Sequence, residues 1–452
     1  MPYLTRTGRS EAARSTSHVP VADNVLIKEK LDSYRLYMPK AGGDIDHELI
    51  LSAEALERVP GSVRWAMSFD GSQQEVAVRE EYPSTRVGYI QVAGVLVHLE
   101  EMLKEGQHDL VDPSRVRDAI SSSLYSLVLP GSNVCRRGMT SVQESWRAEV
   151  FEVFRDYRIE GTPLLDVFWL LAQRSDKWSS GGIVLAHCPR PDCTATGLGV
   201  LKNGSFCPSC RIALYPTDAL RIHEEVDEES SNLTALGRLM MCLEHITVAA
   251  YISFLHQREA GLLSTVAFLV DGPLALFGPQ AWLHGAIEKY LQELNLAVRP
   301  LGLPGILLFG IEKSGQFVEH LHGIGAALEP RHVMMLPDSY IFDHILTSRP
   351  LPGRTYGKDT YYGQKFFYKT AQGHLLVLTV PKETVNGPAA VRPESYPTLP
   401  TVLALLDEIG TALYQDAVIP VALAHSFASI PLRTGSKVLT LLARQHLLPA
   451  GD

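Results

Sequence analysis

Three apolar segments on the N-terminal side, VRWAMSF (63–69), QEVAVRE and RVGYIQVAGVLV, are short, rich in β-branched residues and joined by Gly, Ser and Pro. That pattern predicts three successive strands in an antiparallel meander. From about 95 to 175 apolar residues recur at three and four, as in SVQESWRAEVFEVFRDYRIEG and PLLDVFWLLAQR, which predicts helices. The segment LTALGRLMMCLEHITVAAYISFLHQREAG (233–261) is apolar on more than one face and reads as a long central helix. STVAFLV then gives a strand ending at Asp271, AWLHGAIEKYLQELN an amphipathic helix and GILLFGI a buried strand. YYGQKFFYK and HLLVLTVP form a hairpin pattern, LPTVLALLDEIGTALY a helix, AVIPVALA a strand and SKVLTLLARQHLL a closing helix. Strands alternating with helices predict an α/β fold. Residues 1–20 are polar, rich in Ser, Arg and Thr, and read as a flexible arm, with ordered structure expected from Val21.

Composition narrows the class. The 452 residues are 46% hydrophobic and 20% charged, which excludes a disordered or fibrous chain. A net charge of −9 excludes a protein coated in positive charge, so nucleic-acid binding needs a local basic groove. The N-terminal residues lack the apolar run of a secretion signal, and no stretch has the apolar length of a membrane helix, so a cytoplasmic protein with no membrane partner is expected. Four of the six cysteines, Cys188, Cys193, Cys207 and Cys210, fall in one window; in a reducing compartment such clustering points to metal.

Two apolar runs end alike, AMSFDGS at Asp70 and AFLVDGP at Asp271. Each Asp-Gly is also a favoured turn sequence. The order of elements is what singles them out. A meander carrying one Asp, then a helix, then a strand carrying a second Asp is how an RNase H-like mixed sheet flanked by helices builds a nuclease site. The helix would supply a third acid, and Glu244, set among Met240, Met241 and Leu243, is the best-placed candidate, with an exposed face or an ion pair to Arg238 as the alternative. Phosphodiester hydrolysis at neutral pH needs a nucleophile and neutralisation of charge, which Mg²⁺ or Mn²⁺ held by carboxylates supplies.

From SFDGSQQEV and YPSTRVGYIQVAGV, through the helix around Glu244, FLVDGPLALFG and GIEKSG, to IPVALAHSFASI, the chain resembles the NurA nucleases, partners of the hexameric HerA translocase in DNA-end processing and phage defence. The resemblance spans roughly residues 60–445. It implies a DNA nuclease, a homodimer served by a HerA-like ATPase, with metal-binding acids at Asp70, Glu244 and Asp271. It further implies a catalytic or metal-proximal His425 and a Lys313 that contacts the scissile phosphate. The family often has a tyrosine eight residues before this histidine; here the position is Ala417, with Tyr414 out of register. On this reading one nuclease domain covers 21–452, interrupted at 95–232 by a helical insertion.

That insertion carries HCPRPDCTATGLGVLKNGSFCPSC, a C-x4-C and a C-x2-C on Gly- and Pro-containing turns, the pattern of a four-thiolate structural Zn²⁺ site, expected as a small zinc ribbon at about 185–215. RTYGKDTYYGQKFFYK interleaves cations with aromatics, and Arg354, Tyr356, Lys358, Lys365 and Lys369 are candidate contacts to a DNA strand; a hairpin with a buried aromatic face is the other reading. Two functions therefore stand side by side. One is a metal-dependent nuclease; the other is a weak or inactive nuclease-fold scaffold that binds DNA or a partner ATPase through its ribbon.

Overall fold

The computed structural model describes residues 19–34, 47–56, 63–79, 81, 83–105, 120–302, 305–346, 355–382, 392–410, 418–430 and 434–447. Nearly all of the arm expected at 1–20 lies outside these residues, as do Arg354, Tyr414 and Ala417. The fold is α/β, built on one mixed sheet of nine strands: β1 (Ile50–Ser52), β2 (Trp65–Arg79), β3 (Thr85–His98), β4 (Ile120–Pro130), β5 (Val266–Asp271), β6 (Leu308–Glu312), β7 (His332–Met335), β8 (Gly363–Lys369) and β9 (Leu375–Pro381). Their order across the sheet is β1-β7-β8-β9-β6-β5-β2-β3-β4. β5 runs parallel to both β2 and β6, and the other pairs are antiparallel.

The meander is present, but its strands differ from those expected. Trp65–Arg79 is a single strand, paired with β3 along nearly its whole length, so Asp70-Gly71 is not a turn. The third strand is β4, inside the stretch expected to be helical. Along β4, Tyr125, Leu127 and Leu129 are buried while Leu124 and Val128 are exposed, and apolar residues on both faces erase the period of two. Among the described residues of that stretch, a short helix (Leu99–Glu105) precedes β4 and the longer helices follow it. These are α1 (Val142–Asp156), which buries Trp146, Phe151 and Phe154, and α2 (Leu164–Ala172), which buries Phe168 among aliphatic residues.

Alternation along the strands divides the interior into two cores. Met67, Phe69, Phe268, Val270 and Leu308 face α1, α2, α3 (Leu233–Arg258) and α4 (Leu283–Val298). Ala66, Ala267, Leu269, Phe309 and Ile311 face the opposite way, toward α6 (Leu399–Ile409) and α7 (Ile419–Ala428). α5 (Gln316–Ile324) packs with β7 to β9, and α8 (Thr434–Leu447) lies on the far end of the β2–β3 hairpin. α3 has the length and apolarity of a membrane helix, yet it is the central helix expected, buried from Ala235 to Ser253. Ile419–Ala424 of AVIPVALA, expected as a strand, is the start of α7. Pro420 opens that helix, and a short apolar run has no periodicity to separate a buried helix from a buried strand.

Between α2 and α3 the chain forms two hairpins, Gly182–His187 with Thr196–Val200 and Ser205–Phe206 with Ala213–Leu214. They have no core of their own: Ile183, Leu185, Leu198, Val200 and Leu214 join the cluster under α1 and α3. A buried pair ties them down, Arg147 of α1 donating to both Asp218 oxygens at 2.8 and 2.7 Å.

Candidate functional site

Where the parallel pairing of β2 with β5 ends, Asp70 and Asp271 project from the same face of the sheet, since Phe69 is the register partner of Val270. α7 crosses that face and brings His425 down from its last turn. His425 Nδ1 lies 2.8 Å from Asp70 Oδ2 and 3.8 Å from Asp271 Oδ2, and one ligand atom of each of the three lies within 4.8 Å of the others. Asp70 Oδ1 accepts the Gly71 N–H at 2.8 Å, and Lys313 Nζ donates to Asp271 Oδ2 at 2.6 Å. Burial, and then the neighbouring Asp271 charge, push the Asp70 carboxyl up to about 6 against the pull of His425 and Gly71. A buried and a half-buried carboxylate side by side, with one lysine on Asp271, constitute a site short of positive charge.

Glu244 approaches from the other side. It is buried on α3 and does not join the cluster of three. Gly71 explains how close it comes, because a methyl group there would lie 2.6 Å from Glu244 Oε1 and 2.7 Å from Met240 Cγ. The glycine read as turn chemistry is thus a gap in β2 that admits a carboxylate. Burial, with Asp70 and Asp271 adding repulsion, holds the Glu244 carboxyl well above its usual range. Gly272 (φ +133°) does make a turn, and its N–H donates to Ile311 O at 2.8 Å.

The residues proposed for a DNA strand are mostly committed elsewhere, which corrects that expectation. Lys365 is 2% exposed; its ammonium lies 2.6 and 2.7 Å from the Glu312 oxygens and 3.7 Å from the centre of the Phe317 ring. Lys369 donates to Gly325 O and Leu328 O just past the end of α5, both at 2.9 Å. Tyr356 packs on Phe317 and hydrogen-bonds Tyr361 at 3.2 Å, whereas Lys358 is exposed. The physical reason is position: β8 lies between β7 and β9 and buries both of its faces. Glu312 was missed in the sequence, although it immediately precedes Lys313 and strand alternation turns the two to opposite faces.

The four cysteines converge at the tips of the two hairpins. Sγ separations are 3.6 Å for Cys188–Cys210 and 3.7 Å for Cys193–Cys207, and all four lie within 4.8 Å. A tetrahedron with Zn–S bonds of about 2.3 Å has edges of about 3.8 Å, so the thiols fit a zinc ion. Burial pushes the Cys188 thiol up to about 12, and the Cys210 N–H helps draw Cys207 down to about 6.

No family model and no curated protein matches the chain. Among solved structures, it is similar to the crystal structure of the NurA nuclease from Sulfolobus solfataricus, at 8% identity and a TM-score of 0.38, over 96% of this chain and 97% of that one.

Proposed function

We propose that the protein is a metal-dependent DNA nuclease of the NurA type, on an RNase H-like sheet. The observation that carries this reading is the convergence of Asp70, Asp271 and His425, from three distant elements, beside Lys313 where the parallel pairing of β2 and β5 ends. Hard carboxylate oxygens with one imidazole suit Mn²⁺ or Mg²⁺. Asp70 and Asp271 would hold the ion, with His425 as a third ligand and Glu244 behind Gly71. When bound, the ion supplies charge neutralisation at the phosphate and a lowered pKa for an attacking water.

The chain's own residues do the rest. Gly71 N–H and His425 fix the rotamer of Asp70, and Lys313 fixes Asp271. The His425 side chain is 63% exposed, so its outer edge is free to exchange a proton with solvent or with a leaving oxygen. Lys313, one third exposed, is placed to shift from Asp271 to a phosphate once a cation occupies the site.

Zinc on Cys188, Cys193, Cys207 and Cys210 has a structural role in this reading, since four sulfurs leave no position for water. With a net charge of −9 the nuclease binds free DNA weakly, and delivery by a HerA-like hexameric ATPase to a homodimer compensates for that. The scaffold reading draws its support from Glu244, which stands outside the cluster of three. The test is degradation of end-labelled single- and double-stranded DNA with Mn²⁺, Mg²⁺ or EDTA, with and without the ATPase. Metal-dependent cleavage abolished by Asp70→Ala establishes the nuclease. Intact DNA in every arm establishes the scaffold.

A further inference from the structure

The chemistry proposed above leaves one buried ion pair unused, that of Glu312 and Lys365. The pair spans three strands. Glu312 ends β6 and Lys365 lies on β8, with β9 between them. Thr379 of β9 is the register partner of Gly310 on β6 and of Lys365 on β8, and its hydroxyl donates to Glu312 Oε1 at 3.4 Å. The Lys365 ammonium, 2.6 and 2.7 Å from the Glu312 oxygens, is caged by the rings of Phe317, Tyr361 and Tyr356, whose centres lie 3.7, 5.1 and 5.9 Å away. Desolvating two charges offsets much of their attraction, so such a pair adds little stability over apolar residues of the same volume; what it adds is a defined geometry.

Both partners of the Lys313–Asp271 contact are tied to that geometry. Lys313 directly follows Glu312, so an anchored Glu312 fixes the backbone from which Lys313 reaches Asp271 on the opposite face. The turn after Asp271 is tied from the other side. Gly310, on the same face as Glu312, has no room for a methyl group, because Gly272 O and Leu274 N lie against it. Further along that turn Ala275 bridges to Tyr361, the Leu276 N–H donates to Thr360 O at 2.9 Å, and Phe277 packs edge-on to Tyr361 with ring centres 5.7 Å apart. Tyr361 is therefore a wall of the Lys365 cage and a support for the Asp271 turn at once.

We infer that Glu312 and Lys365 are positioning residues of the acidic site: their pair holds Lys313 against Asp271 by fixing the end of β6 and, through Tyr361, the turn after Asp271. Neither belongs to the cluster of three, and they act on it through Lys313. That a held Lys313 serves phosphate chemistry rests on the nuclease reading. That it is held does not.

Acylation of lysines by a succinimidyl acetate ester, followed residue by residue by mass spectrometry on the full-length protein without DNA or added Mn²⁺, reads how firmly Lys313 is held. Asp271→Asn, which removes the partner itself, is expected to raise the Lys313 rate about fivefold and sets the ceiling. Glu312→Met/Lys365→Met removes both charges at similar volume and so keeps the fold. It is expected to raise the Lys313 rate about threefold, while the exposed Lys437 of α8 reacts as in the wild type. In Mn²⁺-dependent cleavage the same double variant is expected to lose about fivefold in kcat/KM. If it does not fold, Glu312→Gln takes its place, with an expected rise of about twofold in the Lys313 rate. A wild-type Lys313 rate in a folded variant overturns the inference, as does an Asp271→Asn protein whose Lys313 reacts no faster. Unchanged cleavage by the double variant of an active enzyme overturns it as well. A wild type that leaves DNA intact fails the nuclease reading alone, and the acylation rates still decide whether the pair holds Lys313.

Discussion

The protein gathers metal-ligating side chains in two places, and the two are assembled in opposite ways. The cysteine site takes four soft thiols from neighbouring hairpin tips, so its ligand set is local. The acidic site takes Asp70, Asp271 and His425 from two strands and a helix far apart in the chain, on a sheet whose cores exist without any ion. One site rests on four thiols between two hairpins. The other is prefolded and carries unrelieved repulsion, seen in the raised Asp70 carboxyl. The difference teaches where stability and reactivity come from: the closed sulfur set contributes structure, and the crowded, partly open oxygen set contributes a demand for a cation.

The comparison breaks first at the ribbon. Cys207→Ser is expected to lose zinc and, because ribbon residues belong to the core under α1 and α3, to cost about 5 kcal/mol or more of stability, read by denaturant unfolding and metal analysis. A variant that keeps full stability without zinc would make the ribbon a passenger. At the acidic site the largest effect falls on activity: Asp271→Ala should lower metal-dependent cleavage about 10³-fold or more while zinc content stays unchanged. Equal cleavage by wild type and variant would remove the site from the chemistry.

The stored repulsion gives the third prediction. The folded-state pKa of Asp70 is raised from 3.8 to about 6, so the folded protein holds that proton more tightly than the unfolded chain. The associated stability is complete below about pH 4 and is lost as pH rises through 6. For the metal-free protein at pH 7, Asp70→Asn should therefore gain about 3 kcal/mol, shrinking toward nothing below pH 4. A variant less stable than wild type at pH 7 would show that the carboxylates are not under strain. The smallest effect sharpens the roles of the acids. Glu244→Gln, changing a group outside the cluster of three, should cost cleavage about tenfold; a loss equal to that of Asp271→Ala would make Glu244 a full ligand.

The same contrast explains what the sequence disclosed. The cysteine cluster was legible because all four residues sit in one window of the sequence. Asp271 was legible as the end of a β-branched run, and α3 as a helix too apolar for a surface. Asp70 was expected at the end of its strand, whereas β2 runs on past it, and the Asp-Gly turn offered as the other reading is absent because Gly71 makes room for Glu244 within the strand. β4 was hidden because both of its faces carry apolar residues, and α7 because ten residues around Pro420 have too little period to exclude a strand. The hairpin at 363–381 reads alike whether its cations face solvent or salt bridges inside, and only the placement of β8 between two other strands decides that Lys365 meets Glu312.

The central claim is that Asp70, Asp271 and His425 form a site for a hard divalent cation, separate from the zinc. Calorimetric titration of Mn²⁺ into zinc-loaded wild-type protein and into Asp70→Asn/Asp271→Asn, with zinc quantified in both, addresses it directly. The account predicts Mn²⁺ binding in the wild type that disappears in the double variant at unchanged zinc content. Binding that survives the double variant, or none in the wild type, would contradict it.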